Sequence, residues 1–330
     1  MKEIKFRAMV VEENNDVFTR EIKERTTDDL PPGDLLIKVA FSSLNYKDAL
    51  SASGNRGVTR KYPHTPGIDA AGVVAASDSP SFKEGDEVLV TGYDFGMNTA
   101  GGFGQYVRVP AQWAVKIPEG LSLKESMALG TAGLTAGLSV HRLSEIVAPA
   151  DGKIIVSGAT GGVGSISLGL LSRLGYETAA VTGKAEAAGY LKSLGASEIV
   201  LRSDFGGAEK RPMLKAGYAG GIDTVGGPVL ENIIKSVQPR GAVTCCGNAA
   251  SESLNLTVYP FILRGITLSG IDSQNCPMEL RKKIWERFAA EWKLQQMTEM
   301  VTEIGLEEVS GIIELMLEGK IKGRYVIAHE

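Results

Sequence analysis

Residues 159–164, Ala-Thr-Gly-Gly-Val-Gly, separate an apolar, β-branched run (153–158) from a segment of helical spacing that ends near Leu174. Strand, glycine-rich turn and helix form the arrangement that binds dinucleotides. Bare backbone at Gly161 and Gly162, beside Thr160 and Val163, lets the chain approach a pyrophosphate closely. The free N–H groups of the helix's first turn, with the helix dipole, favour that anion. Gly164 lets the helix pack against the strand. The first glycine of the usual G-x-G-x-x-G is here Ala159, so the loop reads A-x-G-x-x-G. A tight turn without a ligand is the alternative, and the surrounding βαβ rhythm argues for the nucleotide.

The next strand speaks to which nucleotide. In NAD-binding proteins an Asp or Glu near its end accepts from the ribose 2′-OH. Here the strand ends in Thr182-Gly183-Lys184, with no acid. A carboxylate would repel a 2′-phosphate, whereas a hydroxyl and an ammonium bind it. Arg202, after the third strand, adds a planar fork of donors suited to phosphate. These residues point to NADPH.

The elements that must position these groups fall into two kinds. Up to about residue 120 the chain reads as closely spaced strands (34–45, 69–77, 86–93, 104–110) punctuated by Gly, Pro, Asp and Asn. That crowding predicts a barrel-like β domain. Ser122 with Glu125 is a capping box, so a helix starts there. Strands then alternate with helices: strands at 153–158, 178–183, 198–201, 221–227, 241–247 and 265–272, and helices to about 174, at 185–195 and at 228–238. This rhythm predicts a doubly wound parallel sheet. Helices over 278–296 and 305–320 and a strand over 323–329 follow, and the strand is expected to return to the N-terminal domain. The domains expected are 1–122, completed by about 275–330, and 123–274.

Composition narrows the function. The chain has 330 residues, a formal net charge of −4 and 43% hydrophobic residues, as expected of a soluble globular enzyme and not of a protein whose main partner is nucleic acid or an anionic membrane. No apolar run suits a membrane span and the N-terminus lacks a signal-peptide core, so a cytoplasmic location is expected. Cys245, Cys246 and Cys276 form no C-x-x-C pair, and His64, His141 and His329 lie far apart. No spacing suits zinc, and the cysteines read as small buried residues.

Several longer stretches carry a resemblance. "SSLNYKDAL" (42–50), "PGIDAAG" (66–72), "GTAGLTA" (130–136), "YLKSLGAS" (190–197), "IDTVGG" (222–227) and "PFILRGITLSGIDS" (260–273) resemble the zinc-free, quinone oxidoreductase type of medium-chain dehydrogenases/reductases. Within that type they are similar to the YhdH/YhfP/AcuI group, which contains acryloyl-CoA reductase. The resemblance spans nearly the whole chain. It implies a GroES-like catalytic domain beside a Rossmann NADPH-binding domain, and a homodimer joined along the strand at 265–272. Zinc alcohol dehydrogenases carry a ligand Cys where this chain has Asn45, and Gly-His-Glu where it has Gly67-Ile68-Asp69. The four-cysteine lobe of those enzymes is missing from 93–103.

By motif position the resemblance implies cofactor contacts at Tyr46, Thr160–Val163, Thr182–Lys184, Arg202, Asn248, Ile262 and Ser273. Asn248 stands where a smaller or apolar residue is expected, which favours a backbone contact there. Tyr46 and Asp48 are the polar groups expected to face the nicotinamide; a phenol can donate to a developing enolate oxygen or protonate carbon. Tyr46 packed on the core, and Asp48 as a mere helix cap, are the alternatives. Asp69 and Asp223 read as structural. The function implied is NADPH-dependent reduction of an activated C=C bond, most closely that of acryloyl-CoA. A quinone acceptor, or an NADPH-binding protein without turnover, are the competing functions. Arg56, Arg60, Lys61, Lys322 and Arg324 are candidates to meet the phosphates of a CoA substrate.

Overall fold

The computed structural model describes residues 3–330. The chain begins with a hairpin of β1 (Lys5–Asn14) and β2 (Val17–Thr26), turned at Asn15 and Asp16, both at positive φ. Two such residues suit the tight turn whose twist matches paired strands. β3 (Leu35–Leu44) leads directly into the short α1 (Tyr46–Ala52). β4 (Asp69–Ser77), β5 (Glu87–Thr91), β6 (Tyr106–Val109) and β7 (Ala114–Lys116) complete the N-terminal strands. α2 (Leu123–Ser144) opens with the capping box expected of Ser122 and Glu125: Glu125 N–H donates to Ser122 Oγ at 3.1 Å and Ser122 N–H to Glu125 Oε2 at 2.9 Å. Gly130 breaks this helix at φ +53°.

The alternating region follows: β8 (Ile154–Val156), α3 (Gly162–Arg173), β9 (Thr178–Thr182), α4 (Ala188–Ser193), β10 (Glu198–Leu201), α5 (Arg202–Phe205), β11 (Tyr218–Asp223), α6 (Gly227–Ser236), β12 (Val237–Cys245), α7 (Tyr259–Arg264) and β13 (Thr267–Gly270). The six strands are all parallel, in the order β10-β9-β8-β11-β12-β13. This is the doubly wound order of a Rossmann fold, and the chain reverses direction across the sheet between β8 and β11. The core between sheet and helices holds Ile155, Val181, Val229, Ile233 and Val243.

The chain ends with α8 (Met278–Ala289), α9 (Met297–Met300), β14 (Val301–Gly305), α10 (Val309–Leu317) and β15 (Arg324–Ala328). β15 returns beside β3 in antiparallel pairing, so the second sheet runs β14-β15-β3-β4-β5-β7, with β6 also on β3. Met9, Leu44, Phe103, Ile304, Ile313 and Ile327 form one of its cores.

The chain divides into two compact units. The first comprises residues 1–131, 274–291 and 299–330, and the second comprises 132–273 and 292–298. The first unit therefore continues to Thr131, beyond the expected end at 122, because the first turns of α2 are gripped by β4 and β15. The helix expected over 278–296 stops at Ala289, and that expected over 305–320 is preceded by β14 and begins at Val309.

Candidate active site

In the second unit the glycine loop joins β8 to α3 as its spacing requires. Gly161 precedes the helix in extended conformation, without a side-chain cap. A first turn without a side-chain cap has N–H groups of the kind that can receive an anion. A Cβ at Gly164 would lie 2.4 Å from the carbonyl oxygen of Gly158, so only glycine permits this approach of helix to strand. Thr160 and Gly164 are buried, Gly162 and Val163 half-buried, and Gly161 exposed.

At the end of β9, buried Thr182 accepts through Oγ1 from Lys184 N–H at 3.0 Å. Arg202, exposed at the start of α5, lies against Gly183: a Cβ built there would be 2.8 Å from Arg202 Nη2. Thr182, Gly183, Lys184 and Arg202 are therefore brought together by the tip of β9. Burial lowers the Lys184 pKa, and the nearby Glu186 carboxylate opposes that effect. Elsewhere in this unit, Ser273 Oγ is 2.8 Å from Thr135 Oγ1, Asn248 is exposed just after β12, and Ile262 is exposed on α7.

In the first unit Tyr46 is the first residue of α1, and it is 49% exposed. The residues around it are spent internally. Asn45, which precedes the helix, donates from Nδ2 to Asp69 Oδ2 at 2.7 Å and accepts through Oδ1 from Arg324 Nη1 at 3.0 Å. Asp69 also accepts from Ser43 Oγ (2.6 Å), Thr131 N–H (2.8 Å) and Thr131 Oγ1 (2.6 Å). Arg324 donates further to Ser43 Oγ, Leu44 O and Ala128 O. This buried network links β3, α1, β4, α2 and β15, and Gly130 closes over it. A Cβ at Gly130 would sit 2.4 Å from Asp69 Oδ2 and 2.5 Å from Ser43 Oγ.

Two sequence expectations change here. Asp48, expected to face the nicotinamide, is fully buried and caps α1. It accepts from Asn45 N–H at 2.8 Å and from Ile68 N–H at 2.8 Å, which leaves it no exposed face. Burial, and then the charge of Asp69, push its carboxyl up to about 7, against the pull of those N–H donors. Arg324, a candidate for CoA phosphates, is buried at the centre of the network, where desolvation lowers its pKa against the opposing charges of Asp69 and Asp48. Arg56 is bonded to Glu13 and lies over the Phe18 and Tyr62 rings, 5.6 and 5.5 Å from their centroids. Arg60, Lys61 and Lys322 are exposed.

Sequence reasoning missed Asn45, Ser43, Thr131 and the joint role of Asp69 and Arg324. Only one signal was available: Asn45 with Asp48 three residues on is a helix-start pattern. The network fills the positions at which zinc alcohol dehydrogenases carry their ligands, and its residues do not fit zinc. Ile68 has no side-chain atom to bind a metal, the Asn45 amide is spent on Asp69 and Arg324, and Asp69 is engaged through Oδ2 by Ser43, Asn45 and Thr131 N–H and through Oδ1 by Thr131 Oγ1. Among the described residues no cluster of three or more His, Cys, Asp or Glu is arranged to hold a metal.

One unit with a Rossmann sheet and a glycine loop, and another rich in β-strands, are the two parts of a nucleotide-dependent dehydrogenase fold, and the relatives of this chain make it an NAD(P)-dependent oxidoreductase. The Alcohol dehydrogenase GroES-like domain family matches residues 31–119, and the Zinc-binding dehydrogenase family matches 162–290. Acrylyl-CoA reductase AcuI of Ruegeria pomeroyi is 40% identical over 325 residues, covering 98% of each chain. The solved structure of the yhdH oxidoreductase from Salmonella enterica in complex with NADP is 40% identical, with a TM-score of 0.96 over 98% of this chain and 100% of that one. The structure of Bacillus subtilis yhfP with NAD bound is 43% identical, with a TM-score of 0.96 over 99% of this chain and 100% of that one. That protein carries a provisional quinone oxidoreductase name. The chain belongs to the medium-chain dehydrogenase/reductase superfamily, in the group of YhfP, YhdH and AcuI.

Proposed function

We propose that this oxidoreductase uses NADPH, without zinc, to reduce an activated carbon–carbon double bond, and that its substrate is an enoyl-CoA of the acryloyl type. The observation that carries this reading is the state of α1. Tyr46 offers an exposed phenol, while Asn45, Asp48 and Ser51 around it are buried in internal hydrogen bonds. One free donor on a rigid mount suits a reaction whose charge develops on a carbonyl oxygen. When bound, the nucleotide supplies a hydride for the β-carbon of the substrate. Tyr46 donates to the thioester oxygen as charge develops there, or delivers the proton to the α-carbon.

Residues 160–164 and the start of α3 hold the pyrophosphate, and Thr182, Gly183, Lys184 and Arg202 hold the 2′-phosphate. Asn248 through its backbone, Ile262 and Ser273 add further cofactor contacts. The name of AcuI and the NADP of the yhdH complex support this reading; the NAD bound to yhfP makes cofactor choice the point to measure. We also propose that the protein is a cytoplasmic homodimer. Among the described residues the outer edge of β13 has no partner strand, and α7 exposes Ile262 and Leu263 at 66% and 61%. An edge of this kind needs a cover.

The test is NADPH oxidation by protein dialysed exhaustively against a chelator, offered acryloyl-CoA, longer enoyl-CoAs and quinones. Turnover is expected with acryloyl-CoA and unchanged by dialysis. Turnover with quinones alone, or activity lost on dialysis and restored by zinc, would overturn the proposal.

A further inference from the structure

Asp223 ends β11, is fully buried, and has no part in the chemistry above. Its carboxylate is nevertheless engaged on both sides. Oδ1 accepts from Ser157 Oγ at 2.7 Å, and Oδ2 accepts from Gly226 N–H at 2.7 Å and Val225 N–H at 3.2 Å. Ser157 Oγ in turn accepts from Thr224 N–H at 2.9 Å, and Thr224 Oγ1 donates to Ser157 O at 3.1 Å. The Asp223 carbonyl accepts from Cys246 N–H at 3.0 Å. One residue thus ties together the ends of β8, β11 and β12.

The position of this tie matters. β8 and β11 are the neighbouring strands between which the sheet's order reverses, and ligands of doubly wound sheets bind outside the strand ends at that point. Ser157 immediately precedes the glycine loop. Gly158 is held at φ +55°, with Thr224 Oγ1 only 2.2 Å from where its Cβ would be. The Gly158 carbonyl then accepts from Gly161 N–H at 2.9 Å and packs against Gly164. The loop's course is therefore set from its strand end, through Ser157 and Thr224, by the Asp223 carboxylate.

We infer that Asp223, acting through Ser157, is a positioning residue that presets the glycine loop for the dinucleotide. The inference rests on the reading of residues 159–164 as the nucleotide loop. Asn keeps the shape of Asp223 but offers a donor where Ser157 O–H or the turn's N–H groups need an acceptor.

The experiment measures NADPH and NADH dissociation constants and steady-state kinetics for the wild type, Asp223→Asn, Ser157→Ala and the double variant. Asp223→Asn is expected to weaken NADPH binding about 10- to 100-fold, as befits a lost buried hydrogen bond to a charge. The KM for NADPH should rise in parallel, while kcat at saturating NADPH and the KM of the second substrate stay within about twofold. The double variant should bind little worse than Asp223→Asn alone, since both changes break one linkage. Unchanged nucleotide affinity in a folded Asp223→Asn protein, or a uniform loss in kcat and both KM values, overturns the inference. If Asp223→Asn does not fold, Ser157→Ala decides, and wild-type affinity in that variant also overturns it. A wild type that binds neither nucleotide would instead overturn the reading of the loop.

Discussion

Tyr46 is the residue on which the proposed chemistry turns. It stands at the first position of α1 with its ring half exposed, and Asn45 before it is fixed by Asp69 and Arg324. In the proposed reaction its phenol would stabilise charge that develops on the carbonyl oxygen as hydride adds. Tyr46→Phe keeps the ring and removes the donor, so kcat is expected to fall by about 100-fold or more with little change in NADPH affinity. Stopped-flow hydride transfer with an enoyl-CoA checks this; a wild-type rate with normally protonated product would reduce Tyr46 to a packing residue. Cofactor choice is a second residue-scale matter. Lys184 and Arg202 flank Gly183, and each charge-assisted hydrogen bond to a phosphate is worth about 1.5–3 kcal/mol. Lys184→Ala with Arg202→Ala is therefore expected to remove most of the preference for NADPH over NADH. Equal discrimination by the double variant and the wild type, measured by fluorescence titration, would reject that origin.

At the scale of elements, α2 is one helix in sequence and two in conformation. Its break at Gly130 brings Thr131 onto Asp69 through two hydrogen bonds. Gly130→Ala would place a methyl group against Asp69 and Ser43 and also strain the backbone. A loss of about 3 kcal/mol or more is expected, against about 1 kcal/mol for Gly85→Ala, whose Cβ would meet open space. Urea denaturation compares the two, and similar losses would mean that the packing over Asp69 is not tight. β15 poses a pH question. His329 follows it, with Nε2 2.9 Å from Gly102 O and 3.2 Å from Ser42 Oγ. Burial lowers its pKa from 6.5 to about 4, against the opposing hydrogen bond to Gly102 and the charge of Glu307. The unfolded chain takes up this proton first, so the stability from neutral His329 is complete above about pH 6.5 and is lost as pH falls toward 4. His329→Gln should flatten the dependence of Tm on pH in that window, and an unchanged slope would assign it to other groups.

For the whole molecule, the edge of β13, unpaired among the described residues, and the exposed apolar side chains of α7 lie in the same unit. Ile262→Glu with Leu263→Glu places two charges on that face. The expected result is a shift from dimer to monomer in analytical ultracentrifugation, with the far-ultraviolet circular dichroism unchanged. A variant that remains dimeric would locate the interface elsewhere. Among the described residues no helix is long and apolar enough to cross a membrane.

The sequence by itself determined the parallel sheet, the glycine loop and the return of the last strand, because these follow from local patterns. An apolar run, a turn that needs bare backbone and a helical repeat are each complete within a few residues. The capping box at Ser122 was legible for the same reason. Asp48 carried a cap signal too, but its burial was not local, since the Ile68 N–H that holds its second oxygen lies on another segment. The tertiary structure alone decided the fate of Asp69 and Arg324. Ser43 and Asn45 share one stretch of sequence, but Asp69, Thr131 and Arg324 lie far along the chain from it and from one another. Arg324 read as a surface cation because most arginines are exposed. Only the docking of β15 against β3 carries it into the interior, where a buried guanidinium needs acceptors and the Asp69 carboxylate, Ser43, Asn45 and backbone carbonyls supply them. Contacts so far apart in sequence leave no periodicity to read, and their partners are selected by the fold.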